Sequence, residues 1–106
     1  MFSNSIIYKL GNINKVYSYF ILGGAEVANG NLIDICIYMN ESAVYAIGEK
    51  KSWLTLKRDT NGDIYIQVKT GWLYFATFTT SNPVTLNASF QKVDSFPSTA
   101  TDIPFK

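Results

Sequence analysis

The sequence predicts an all-β domain, an antiparallel β-sandwich of jelly-roll-like type built from about eight short strands. Three observations carry that prediction. Apolar and polar residues alternate with period two over most of the chain. Gly and Asn punctuate the alternation at roughly 8 to 12 residue spacing. No window of about 11 residues holds a helical period with caps at its ends, although residues 25–29 have room for one turn.

The first strand covers 6–10 and closes at Gly11-Asn12. The second covers 16–22 and ends at Gly23-Gly24. Residues 32–39 form the clearest mid-chain strand, with Ile33, Ile35, Ile37 and Met39 on one face and Asp34, Cys36 and Tyr38 on the other. A short strand over 43–47 ends at Gly48. Residues 53–69 then form a hairpin: Leu54, Leu56, Ile64, Ile66 and Val68 share one parity, and Trp53, Thr55, Lys57, Tyr65, Gln67 and Lys69 share the other.

The hairpin turn follows from that phase. A two-residue Asn61-Gly62 loop would set Leu56 against Gln67 and split the apolar face. A three-residue loop, Thr60-Asn61-Gly62, instead pairs Leu56 with Ile66 and Leu54 with Val68. Such a loop is a type I turn followed by a left-handed residue, a conformation that Gly62 adopts without steric cost. The outer face then sets Trp53 beside Lys69, Thr55 beside Gln67 and Lys57 beside Tyr65.

The strand over 73–78 belongs to a segment, 72–78, that is apolar on both faces, which suits a central strand or one covered by another subunit. The last strand, 84–93, alternates Val84, Leu86, Ala88 and Phe90 inward with Thr85, Asn87, Ser89 and Gln91 outward. The proline-punctuated tail from Phe96-Pro97 to Lys106 is expected to run extended along the surface.

At 106 residues the chain forms a single domain, 1–106, able to bury about two thirds of its unfolded surface. Charged residues are 16% against about 25% in an ordinary soluble domain, so Ser, Thr and Asn, nine of each, and seven Tyr must supply the polar surface. A surface of that kind suits subunit contacts or neutral polar ligands. The net charge is +1 and the nine basic residues, Arg58 the one arginine, form no stripe, which argues against nucleic acid. No run approaches the ~20 apolar residues of a membrane span, and Met1-Phe2-Ser3-Asn4 lacks the basic start and apolar region of a signal peptide.

Cys36 is the one cysteine and histidine is absent, which excludes an internal disulfide, a cysteine-based zinc site and nucleophiles paired with histidine. Asp59, Asn61 and Asp63 alternate like the start of a calcium loop. However, the glycine falls two residues early and Thr70 stands where the bidentate Glu belongs, so the segment reads as a turn. Of the eight acids, Asp34 alone sits centrally in a strand, with no evident partner for glycoside hydrolysis. The chain is read as a non-enzyme without metal or cofactor. Asn40-Glu41-Ser42 and Asn87-Ala88-Ser89 match the glycosylation sequon, as this much Asn and Ser produces by chance.

Four segments give the chain a family likeness: Ile7-Tyr8-Lys9-Leu10-Gly11; Asp34-Ile35-Cys36-Ile37 with Tyr45-Ala46-Ile47-Gly48; the hairpin from Leu54 to Ile66; and Val93-Asp94-Ser95-Phe96-Pro97 leading to Ile103-Pro104. Together they resemble the C-terminal head domains of bacteriophage tail fibres and tailspikes. The resemblance implies a homotrimeric β-sandwich knob on the virion tail that recognises a bacterial surface glycan or outer-membrane protein at host attachment. Glycan-degrading chemistry in such fibres lies upstream of the head. The family has no fixed binding motif, so the candidate sites come from the face argument alone.

Trp53, Lys57, Tyr65, Gln67 and Lys69 combine rings for stacking a sugar with amides and cations for its hydroxyls or carboxylates. The same face also suits a subunit contact or an ordinary aromatic ladder. Trp72, Tyr74 and Phe78 read as packing between sheets or subunits. The alternative function is a structural trimerisation cap without a ligand of its own.

Overall fold

The hairpin forms in the register that its apolar phase demands. In the computed structural model, which describes residues 6–26, 32–69, 73–80 and 85–106, β5 (Leu54–Arg58) pairs antiparallel with β6 (Asp63–Val68). Leu54 lies opposite Val68, Thr55 opposite Gln67, Leu56 opposite Ile66 and Lys57 opposite Tyr65. The Gly62 amide donates to the Asp59 carbonyl at 2.9 Å, closing the type I turn. Gly62 follows at φ +96°, in the left-handed region.

Seven further strands complete two antiparallel sheets. They are β1 (Ile7–Asn12), β2 (Tyr19–Glu26), β3 (Leu32–Met39), β4 (Val44–Ile47), β7 (Leu73–Thr80), β8 (Thr85–Val93) and β9 (Thr101–Asp102), with β7 and β8 as far as residue 90 described at the level of the backbone. One sheet has the order β8-β1-β6-β5-β9 and the other β4-β3-β2-β7. The nested pairs β1 with β8 and β2 with β7 wrap the chain in a jelly-roll-like way, whereas β3 with β4 and β5 with β6 are local hairpins.

Between the sheets lies one apolar core. Phe20 and Leu22 from β2, Ile35 and Ile37 from β3, and Val44 and Ala46 from β4 face Leu10, Leu54, Leu56, Ile64, Ile66 and Val68. A register shift between Lys9 and Gly11 turns Leu10, fully buried, into this core. Each fully buried side chain of this size contributes ~1.5–3 kcal/mol.

Four expectations change. The second strand starts at Tyr19 rather than residue 16, because Val16 and Tyr17 lie in a turn where Tyr17 has φ +65°. Ala25 and Glu26 continue β2, so no helical turn begins at residue 25, and residues 27–29 lie outside the described set. Strand β7 lies at the end of its sheet, which removes the central setting and leaves the other expected one, cover by another subunit. The tail does more than lie on the surface. Thr101 and Asp102 pair with β5, and the Ile103 amide donates to the Leu56 carbonyl at 3.0 Å. The Ala46 amide then donates to the Pro104 carbonyl at 2.9 Å, and the Lys106 amide to the Ala46 carbonyl at 2.8 Å. One segment thereby covers the open edges of β5 and β4, one from each sheet, and satisfies backbone groups that would otherwise invite strand addition.

Gly62 is confined by space as well as by φ: a Cβ there would lie 2.9 Å from the Ile13 carbonyl oxygen and 3.1 Å from the Asn12 amide. Gly62→Ala is expected to destabilise the domain by ~1–3 kcal/mol. Thermal unfolding should show it as a Tm lowered by about 4–8 °C per kcal/mol. An unchanged Tm would mean that the loop adopts another register at no cost.

Candidate functional site

The outer face of the five-stranded sheet brings most of the sequence-derived candidates together, but not as an open platform. Tyr65, expected to offer its ring, is 7% exposed. Phe96 from the tail meets it edge-on, with ring centroids 6.5 Å apart and planes at 83°. The Lys57 ammonium lies 5.0 Å above the Phe96 ring and 3.7 Å from the Asp102 carboxylate. Trp53 departs further from expectation. It precedes β5, and although its carbonyl accepts from the Lys69 amide at 2.8 Å, its half-buried side chain packs against the core. Gln67 is half-buried opposite Thr55, and Lys69 is exposed. Of the two rings that alternation placed on this face, Tyr65 is therefore covered by the tail and Trp53 packs against the core.

The hairpin end of the same sheet carries a hydrogen-bonded cluster. The Asp63 carboxylate accepts from Asn12 at 2.9 Å and from Asn61 at 3.1 Å, and Lys9 lies 3.2 Å away. Asp59 accepts from the Thr60 amide at 2.8 Å and from the Thr99 hydroxyl. Burial pushes the Asp63 carboxyl up, but the bonds from Asn12, Lys9 and Asn61 outweigh it and hold the group below the usual carboxylate range. Burial, with Asp63 and Asp59 nearby, pushes the Tyr65 phenol up despite Lys9.

The four-stranded sheet carries a concavity as well. On its outer face a groove of about 530 Å³ is lined by Tyr17, Tyr19, Cys36, Tyr38, Met39 and Ile47, with Asn40 at its end. Its walls are almost wholly apolar. Register builds it: Tyr38 pairs with Tyr19 on one side and Tyr45 on the other, and Cys36 lies between Ile21 and Ile47. Tyr38 and Tyr45 stand 6.0 Å apart between centroids, and the Lys106 ammonium sits 4.3 Å above the Tyr45 ring.

Tyr17 is the strained member of the groove. It holds a left-handed backbone that costs a non-glycine residue of order 1–3 kcal/mol, and it is 67% exposed. Two contacts keep it there: its amide donates to the Met39 carbonyl at 2.7 Å and its hydroxyl to Glu41 Oε1 at 2.9 Å. The bond to Glu41, with some burial, raises the Tyr17 phenol pKa. Burial, then the negative charge of Asp34, raises the Cys36 thiol pKa.

Of the candidate subunit-contact residues, Trp72 lies outside the described residues. The backbone of β7 places Tyr74 opposite Ala25 and Phe78 opposite Ile21. Sequence reasoning missed the groove because it took residues 16–22 as one strand, which hid the Tyr17 turn. The available signal was the shared parity of Tyr17 and Tyr19, with Tyr38 opposite the apolar phase of its own strand.

The pH dependence of stability reports the Asp63 cluster. A carboxylate whose folded pKa is depressed stabilises above its unfolded pKa, about 3.9, and loses that contribution as pH falls through the folded value. Asp63→Asn is therefore expected to be less stable than the parent at neutral pH, with the gap narrowing below about pH 4 in denaturant titrations. A gap that is constant with pH would assign the effect to shape alone.

Comparison with protein-family models, with curated proteins and with solved structures finds no match to this chain.

Proposed function

We propose that this domain is the receptor-binding knob of a phage-type tail fibre or tailspike, and that it captures a bacterial surface saccharide in the tyrosine groove of its four-stranded sheet. The observation that carries the reading is the groove itself, in which Tyr17, Tyr19 and Tyr38 line one open concavity. A pyranose ring presents C–H groups on its faces and hydroxyls around its rim. Tyrosine matches both, with a ring for stacking and a phenol for hydrogen bonding at small entropic cost. Glu41, which holds the Tyr17 hydroxyl, adds a further acceptor at the rim. The low charge of the chain supports a neutral or weakly charged ligand. A strained residue in a concavity is also the usual mark of a functional site.

A second reading, a structural cap of a trimeric fibre, has its own support. On the same sheet Leu32 is 72% exposed, and β7, apolar in sequence on both faces, lies at the edge. Both roles fit one homotrimeric knob on the virion, with copies meeting along β7 and the groove left open.

The double variant Tyr19→Ala/Tyr38→Ala separates them. On an array of bacterial surface polysaccharides it is expected to bind roughly 30-fold or more weakly than the parent, the effect of losing a hot-spot ring of about 2 kcal/mol. Its molar mass by light scattering should match that of the parent, and Lys69→Ala should bind normally. Full binding by the double variant would sink the saccharide groove, and a fallen molar mass would favour the cap.

A further inference from the structure

A second, smaller concavity lies where β5, β9, residues 50–52 and the tail meet. It measures about 180 Å³ and is lined by Lys50, Lys51, Ser52, Thr55, Asp102 and Phe105 over a floor of core side chains. That is room for about six water molecules at ~30 Å³ each, well under the ~300–1,000 Å³ of sites for drug-sized ligands. One six-membered sugar ring suits that space, and an oligosaccharide does not.

The charges are arranged unevenly. Lys50 is exposed and has no ion-pair partner among the described residues. The Lys51 ammonium, on a largely buried side chain, lies 3.1 Å from Glu49, whose own side chain is 79% exposed. Asp102, at the β9 side, is 79% exposed and meets Lys57 only at 3.7 Å. A bare anion in so small a space would be drawn by Lys50 and in part by Lys51, whose charge Glu49 already offsets, and repelled by the carboxylates of Glu49 and Asp102. A molecule with an anionic group at one end and hydroxyl donors at the other satisfies both.

We propose that this pocket binds a carboxylated pyranose, a uronate-like residue of a surface polysaccharide. Its carboxylate pairs with Lys50 and shares Lys51 with Glu49, its hydroxyls donate to Asp102 and exchange hydrogen bonds with Ser52 and Thr55, and one ring face rests on Phe105. The choice of a sugar rests on the saccharide reading of the neighbouring groove. Ile47 lines that groove and Lys50 lines this pocket, so three Cα steps, at most ~10 Å of chain at full extension, separate the two. A single polysaccharide strand can therefore lie along the tyrosines and turn one acidic unit into the pocket.

Amide chemical shifts of the isotope-labelled full chain test this, with sodium glucuronate, glucose and inorganic phosphate titrated separately at equal ionic strength. Glucuronate is expected to shift the Ser52, Thr55 and Asp102 amides saturably, and glucose to do so roughly tenfold more weakly, the size of one charge-assisted contact. Phosphate should produce no saturable change, and Lys50→Ala/Lys51→Ala should erase the preference for glucuronate. Equal responses to glucose and glucuronate, phosphate binding as well as glucuronate, or no saturable shift at these amides would each overturn the proposal. Neutral oligosaccharide added afterwards reads the groove through the Tyr19 and Tyr38 amides. A responsive groove beside a silent pocket removes this proposal alone. A pocket saturated by glucuronate beside a silent groove supports it and removes the groove reading instead.

Discussion

A left-handed glycine with no room for a side chain holds the β5–β6 hairpin in phase, and the rest of the sandwich depends on that phase. If the pairing slipped by one residue to an Asn61-Gly62 loop, Leu56 would face Gln67 and the apolar set of β6 would rotate out of the core. Because β6 also pairs with β1, and β1 with β8, the hairpin sets the inner face of the whole five-stranded sheet. Gly62 further ties the hairpin to its neighbour, since its carbonyl accepts the Ile13 amide at 2.9 Å. The turn thus fixes a register and also docks the loop on the end of β1.

The tail completes what the hairpin begins. In a two-sheet sandwich each sheet leaves two edges, and exposed edges recruit other strands. Here one segment of ordinary polar sequence pairs with β5 and then with β4, so two of the four edges are covered within the chain. The same segment places Phe96 over Tyr65, and its last residue puts a cation over Tyr45. Its position therefore decides which surfaces stay open: the tyrosine-bearing face of the five-stranded sheet is shielded, and the groove of the four-stranded sheet is left accessible.

How much of this could be read from the sequence depends on the range of the interaction. The β5–β6 register was legible because side-chain parity and turn chemistry are local and both point to the same loop. Which face of β3 is core was legible for the same reason, and Ile35 and Ile37 are buried as alternation requires. The cover over Tyr65 was not legible. Alternation sorts residues between two faces of a strand but does not say what lands on the outer one, and Phe96 arrives from 31 positions along the chain. Tyr17 was hidden because its left-handed backbone is secured by a contact to Met39 across the sheet, not by any feature of its neighbours.

The proposed ligand surface lies on the four-stranded sheet and faces solvent. Cys36 lies in the groove and is the one thiol of the chain, so it reports directly on access. The most direct measurement is the rate of Cys36 alkylation in the native protein as pH is raised, read beside the molar mass of the same sample. An open groove predicts complete reaction without unfolding, slow at neutral pH because burial and Asp34 disfavour the thiolate, and slowed further by a bound saccharide. A thiol that stays unreactive until the protein unfolds, in a species near three times 11.9 kDa, would contradict the account by placing a neighbouring subunit over the groove.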